Sequence, residues 1–431
     1  MAATSLRLSR REAALGFASM AAVGCAAGAG DAGDGQGMAS AASGGNAGAP
    51  ATSSPTILPS DYFETVAGPF PQFATAPAAP KYGFGFDAID ALIRRYVLDL
   101  GPSDRVAPAA PIPRTGSRIQ KGHSSDYRLE GSRVPFALFE EADVAAWASA
   151  RRSLEALGNQ RPLSEYRWLD QMAFWLNLHN VALIEQLAVR YPVRFPYDLK
   201  IDGAPFYDAK IVEIHGERLS LRDIRIEIVY RHWREPASIY GFFHGVVGGP
   251  ALKSGAFTAE GLAGQLADAG REFVNSLRGL RAGARSLRVS KIYAEAAPLF
   301  PQFDADLRRH LSSYADDHAS ELLASGQPLR VSQYDPKIAD LSGGDVSTPT
   351  TPMSASTAII AGGGAAGSAF ANGLAQFAQE SALAELSRLP PHAAEFVRDY
   401  QVKLRRRNQR LRRERRRPSV TIKDLPGETV E

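Results

Sequence analysis

Cysteine is almost absent from this 431-residue chain, where Cys25 is the single example. One cysteine excludes an internal disulfide framework, a Cys-rich zinc site and a CxxC redox pair, so the fold has to stand on packing alone. No HExxH, CxxC, GxSxG or Rossmann fingerprint occurs, and Gly245–Ser254 (GVVGGPALKS) fails as a phosphate loop because Leu252, not glycine, precedes Lys253. Histidines are few and dispersed: His232 and Glu235 are three apart but run straight into Pro236, and His179, His215 and His244 stand far from one another in sequence. No metal site and no cofactor is expected from this pattern.

What is present begins with an address. Ser9-Arg10-Arg11 is followed by a mildly apolar stretch from Ala13 to Val23 and then by Ala22-Val23-Gly24-Cys25. About eleven apolar residues are too few to cross a bilayer, so residues 1–24 read as a secretory signal. Small residues before a cysteine resemble the lipobox of bacterial lipoproteins, with Cys25 as the lipid-attachment residue, although Ala22 stands where leucine is usual. The paired arginines resemble a twin-arginine signal. The competing reading is a cytosolic chain with an alanine-rich start. Ala26 lacks the aspartate that tends to retain lipoproteins in the inner membrane, so the expected location is the periplasm-facing envelope, at the outer membrane rather than the inner. Residues 25–60 are Gly/Ala/Ser-rich with little to bury and are expected to form a flexible tether.

Hydrophobic content of 45% and charged content of 22% are ordinary for a globular protein. Residues 61–340 are read as one α+β domain. Helical spacing appears at 84–97 and 137–157, and most strongly at 165–190, with Ser164 expected to cap that helix and Pro192 to end it. This last segment is apolar on most faces and is expected to be the central buried helix. Residues 211–221 alternate around His215-Gly216 as a hairpin does, and Ser220 is placed to cap a helix over 221–232. A buried apolar stretch is expected at 238–252, a helix from Thr258 to about residue 277, a strand at 286–293 and a helix at 302–323.

Beyond the domain, residues 341–379 are read as a low-complexity linker, 380–391 as a short helix ending at Pro390-Pro391, 392–417 as a basic helix and 418–431 as a disordered tail. A membrane helix over 346–379 is disfavoured by its many glycines and few large apolar residues. Residues 403–417 carry ten Lys/Arg against one Glu, a balance of +9 in a chain of formal charge +3, which leaves −6 for the rest. Phe396, Tyr400, Leu404 and Leu411 fall near one helical face, surrounded by Lys403, Arg405, Arg406, Arg407, Arg410, Arg412, Arg413, Arg415, Arg416 and Arg417. Such a helix is able to lie on an anionic surface, phospholipid or lipopolysaccharide; a solvated charged tail is the equal alternative. Nucleic acid is not an expected partner of an exported protein.

Two places put polar residues inside apolar sequence. Asn177 and Asn180, one turn apart, are expected to fasten the central helix to neighbouring backbone. His244 stands between apolar residues and glycines, as a core histidine does; a base at His244 or His179 is the other reading.

Five blocks then become recognisable in order: AFWLNLHNVAL (173–183), GERLSLRDI (216–224), the segment from Glu235 to Leu252, AFTAEGLAGQLADAGREFVNS (256–276) and RVSKIY (288–293). Together they resemble domain-of-unknown-function family 547, over roughly residues 130–340. The resemblance implies an α+β domain comparable to papain-like thiol hydrolases. It also implies a cysteine in an Asn-Cys pair, a second cysteine before the proline and a histidine in the helix after the Ser-Leu motif. Here these positions hold Phe243-His244, Gly249 and Ile226, with Arg225 in place of the preceding acid. Trp175, Asn177, Asn180, Ser220, Leu221, Gly248, Pro250, Ser290 and Lys291 keep the family's pattern. A thiol mechanism needs a thiolate and a neighbouring base. The sequence therefore points to a degenerate, non-catalytic scaffold or ligand-binding module; the alternative is a peptidase, amidase or acyl-transfer hydrolase with rearranged residues around His244 or His179.

Overall fold

A computed structural model describes residues 58–73, 82–108, 125–344 and 387–415. The signal, Cys25, most of the low-complexity segment and Arg416–Arg417 lie outside the described residues. The architecture is α+β: helices surround one long buried helix, and the strands form small separate sheets. None of the described helices is long and apolar enough to cross a membrane.

Helix α1 (Asp87–Tyr96) has acidic residues in its first turn and Arg94 and Arg95 in its last, complementing the helix dipole. A two-residue strand, β1 (Leu98–Asp99), follows and pairs antiparallel with β2 (Ser132–Arg133). Helix α2 (Glu141–Asn159) opens with a capping box, in which Glu140 accepts from the Asp143 backbone and Asp143 accepts from Glu140 N at 2.9 Å.

Helix α3 (Trp168–Arg190) is the central one, and nearly every residue from Asp170 to Ala188 is buried. Being apolar all round, it has no face to give to solvent and can only be a core element. Ser164 does not cap it; Ser164 lies in a preceding 3-10 turn (Leu163–Glu165), and Arg167 occupies the N-cap. No side chain caps this helix; Asp170, in its first turn, pairs with Arg167 and accepts the Phe84 N–H at 3.0 Å, tying the helix start to the preceding segment. Helices α2 and α3 approach closely because residue 158 is glycine, whose added Cβ would stand 2.6 Å from Phe174 Cζ.

Strands β3 (Lys210–Ile214) and β4 (Glu217–Ser220) form the hairpin, with His215 and Gly216 both at positive φ (51° and 80°) as a tight two-residue turn requires. Ser220 then starts the next helix, its hydroxyl accepting Asp223 N at 3.1 Å while Asp223 accepts Ser220 N at 2.7 Å. That helix, α4, covers 221–233 and is π-helical over Asp223–Tyr230. Residues 238–250 are buried. Helix α5 (Leu262–Val274) begins a turn later than Thr258, whose side chain instead accepts the Gly261 N–H at 3.2 Å.

The three-stranded sheet joins β5 (Leu280–Ala282) antiparallel to β6 (Leu287–Ser290), and β6 parallel to β7 (Leu329–Gln333). The stretch read as one helix over 302–323 is two, α6 (Phe303–Ser312) and α7 (Asp317–Ala324), with Asp316 capping the second through Ala319 N at 2.8 Å. Order continues past residue 340: Leu341 is buried, and the Asp340 carboxylate accepts from Ser342 N, Gly344 N and Tyr191 Oη.

Helix α8 (Pro391–Arg415) begins at the second proline, as a missing N–H permits. Its apolar face is not open. Ala393, Val397, Tyr400 and Leu404 are buried against Leu98, Leu100, Leu129, Ala137 and Leu341, and Arg388 grips Asp104 through two bonds of 2.7 Å. Phe396 is half-buried in the same cluster; the side chain of Leu411 lies outside the described residues.

Candidate functional site

Helix α3 carries Asn177, His179 and Asn180 into the core, and each is fixed by what it bonds. Asn177 clamps residue 257 from both sides, its amide donating to Phe257 O at 2.8 Å and its oxygen accepting Phe257 N at 2.9 Å. Asn180 does the same to the buried stretch, donating to Gly241 O and accepting Phe243 N, both at 2.9 Å. These bonds set the path of residues 241–257 over the helix.

The ring of His179 lies between the Asn180 amide oxygen, 3.0 Å from Nδ1, and the Arg225 guanidinium, 3.0 Å from Nε2. A guanidinium only donates, so Nε2 is the acceptor and Nδ1 carries the hydrogen. The ring is therefore the neutral Nδ1–H tautomer, and burial, with the cation of Arg225 next to it, drives its pKa well below the ordinary value. Arg225, on the π-helical part of α4, is bound in turn to Glu295 by a two-pronged pair at 2.6 and 3.3 Å. Burial alone would raise the Glu295 carboxyl, but Arg225 overrides it and holds it at about 2.

His244 completes the group. Its carbonyl accepts the Tyr207 hydroxyl at 2.7 Å, while both ring nitrogens are buried without a hydrogen-bond partner among the described residues. Burial, followed by the nearby Arg225 charge, lowers its pKa to about 3. The imidazole is thus neutral across the physiological range. Tyr197, Tyr207 and Tyr230 surround the charged pair, with the Arg225 guanidinium 5.6 Å above the Tyr207 ring.

The two positions at which the resemblance places a cysteine and the acid before a histidine, 244 and 225, do come together, but with a neutral imidazole and a salt-bridged guanidinium in them. Neither imidazole faces a hydroxyl or a carboxylate at hydrogen-bond distance. The chemistry open to this cluster is the holding of charge, not the transfer of a proton near neutral pH. Glu295 was not among the residues the sequence pointed to. Its signal was a lone acid inside the apolar run 292–300 (IYAEAAPLF), a place where an unpaired carboxylate would be costly.

A second buried charge network lies under an open cleft. Arg278 donates to Gly249 O at 2.9 Å and pairs with Glu272, and its Nε lies 3.5 Å from Glu130. Burial raises the Glu272 carboxyl, with Arg278 acting against it. Close by, Arg133 donates to Ser132 O and Tyr127 O, and burial lowers its pKa to about 9. The cleft, about 400 Å³, is lined by Asp99, Ser103, Arg271, Glu272, Asn275 and Asp316.

Of the other residues marked from sequence, Ser220 is the helix cap already described. Ser290 is buried at the end of β6, where its hydroxyl accepts Ile292 N at 3.4 Å, and Lys291 is half-buried with its N–H on Gln333 O at 2.9 Å. On α8, Lys403, Arg405, Arg406, Arg410 and Arg413 are exposed, whereas Arg407 is half-buried and donates to Ala137 O. Side chains of Arg412 and Arg415 lie outside the described residues. Among the described residues no group of three or more His, Cys, Asp or Glu is placed to hold a metal ion.

Residues 163–274 match the model of a family described as "Protein of unknown function, DUF547". The matched segment contains α3, the β3–β4 hairpin, α4 and α5, and so holds His179, Arg225 and His244; Glu295 lies beyond it. No curated protein and no solved structure matches the chain.

Proposed function

We propose that this protein is an exported envelope lipoprotein, anchored through Cys25 and facing the periplasm, whose α+β domain binds or scaffolds a ligand or partner without turning it over. The observation that carries the non-catalytic part is His244. It stands where the resemblance places a cysteine, is 2% exposed and keeps two ring nitrogens without a hydrogen-bond partner among the described residues. A nucleophile or general base has to reach its substrate, which a ring sealed in the core does not, and a pKa lowered to about 3 leaves the ring a weak base.

The rearranged-hydrolase alternative requires an imidazole on the floor of an open cleft, within about 3 Å of a hydroxyl or carboxylate. His179 is committed to an amide and a guanidinium instead. For a binding role, the cleft over Glu272 is the open concavity beside a buried charge network.

Purified protein incubated with panels of peptide, amide and ester substrates is expected to show no turnover above a His244→Ala control. Turnover that this substitution abolishes would overturn the non-catalytic reading. Cells fed labelled palmitate are expected to label the wild-type chain and not Cys25→Ala; equal labelling would remove the anchor.

A further inference from the structure

The sequence leaves open what the basic helix touches, and α8 resolves half of that question by docking. A basic amphipathic helix ordinarily meets a membrane by burying its apolar face among the acyl chains. In this protein that face is already spent on the domain, since Val397, Tyr400 and Leu404 are packed against Leu98, Leu100, Leu129 and Leu341. What α8 turns outward is mainly charge, with Val402 an exposed apolar side chain beside it.

We infer that the outer face of α8 is a docking surface for the anionic phospholipid headgroups of a bilayer, held by charge alone and with no apolar insertion. This rests on the envelope placement proposed above. Lys403, Arg405, Arg406 and Arg413 are exposed, and at 1.5 Å rise per residue the row from 405 to 413 extends about 12 Å, the span of a few headgroups. The helix is tied to the domain by Arg388, just before it, on Asp104 and by Arg407 on Ala137 O, so the start of the row is held against the domain.

Charge across the molecule favours the same orientation. The +9 of residues 403–417 stands against −6 for the remainder, so an anionic plane attracts α8 and repels the rest of the protein. No aromatic residue interrupts positions 402–413, so the stacking contacts that bind single-stranded nucleic acid have no place there. From Cys25 to Leu58 the chain reaches at most about 110 Å, so an anchor at Cys25 keeps α8 within range of the same membrane.

The test uses the full chain carrying Cys25→Ala, so that no acyl chain contributes, in co-sedimentation with vesicles. One set is equal parts phosphatidylglycerol and phosphatidylcholine, the other phosphatidylcholine alone. Binding is expected to the anionic vesicles only, and to fall at least about tenfold when salt is raised from about 0.05 M to about 0.5 M, as a screened interaction must. Arg405→Glu, Arg406→Glu and Arg413→Glu combined should weaken it by roughly a hundredfold or more, given the several-fold that each basic residue near such a surface contributes, with an unchanged melting temperature because all three are exposed.

Binding that survives high salt would mean insertion and would overturn the inference. So would equal binding by the triple variant, or binding to lipopolysaccharide or heparin without binding to phosphatidylglycerol vesicles. Because the tested chain has no anchor, failure here leaves the palmitate experiment unaffected, and failure of that experiment leaves this one unaffected.

Discussion

Arg225 and Glu295 are joined by two hydrogen bonds in the core, with side-chain exposures of 3% and 5%, although seventy residues separate them in sequence. One comes from the matched family segment and the other from the helix after β6, so the pair pins the two parts together. Removing either partner leaves an uncompensated buried charge, which typically costs about 3–5 kcal/mol. Arg225→Leu and Glu295→Leu are each expected to lower stability by that amount in urea denaturation. The double variant should lose clearly less than the sum, because no stranded charge remains.

Acid should loosen the fold well before the carboxylates of an ordinary protein are titrated. His244 has a folded pKa of about 3 against an ordinary 6.5, and His179 is also lowered. The unfolded chain therefore binds protons that the native state refuses, and stability present above pH 6.5 drains away as pH falls. For His244 the loss is about 1.4 kcal/mol per pH unit, or about 2 kcal/mol by pH 5. Glu295, held at about 2, acts in the same direction below about pH 4.5. Denaturation midpoints measured from pH 7.5 to pH 4 should fall steadily, and His244→Leu should flatten that slope by about one proton.

Asn177 is expected to matter more than its size suggests. Alanine there would orphan both the N–H and the carbonyl of Phe257 in the core, at about 1–3 kcal/mol for each group left unpaired. Thermal melts of Asn177→Ala should show a loss of several kcal/mol, and Asn177→Asp, which restores only the acceptor, should recover part of it at most.

Gly248 marks a place where two backbones touch. A Cβ there would stand 2.3 Å from Asp335 N, and the Gly248 N–H itself bonds Asp335 O at 3.0 Å. Backbone cannot swing aside as a side chain can, so Gly248→Ala should destabilise by about 3 kcal/mol or more, as overpacking at a rigid contact does. Gly264→Ala, with nothing within 4 Å, is the control and should leave stability unchanged or raised.

Local signals were readable where local physics decides. The central helix shows itself through twenty-odd residues that are apolar on every face, and the hairpin through His215-Gly216, which accepts positive φ. The Ser220–Asp223 cap is likewise a matter of three residues. Partners brought from afar were not readable. Nothing near Arg225 names Glu295, and π-helical winding over Asp223–Tyr230 leaves no period of its own in eight residues. Periodicity showed that residues 392–411 possess an apolar face, yet a membrane and a protein core ask for the same stripe. What covers that face depends on Leu98, Leu129 and Leu341, whose meeting is a property of the tertiary fold.

The closing of that stripe has a consequence for how the chain comes into being. Leu98, Leu100, Leu129 and Ala137 are made at least 260 residues before their cover, Val397 to Leu404. Until that cover arrives, the nascent protein carries a bare apolar patch of the sort that chaperones and proteases recognise. A chain cut before residue 397 leaves those apolar side chains bare.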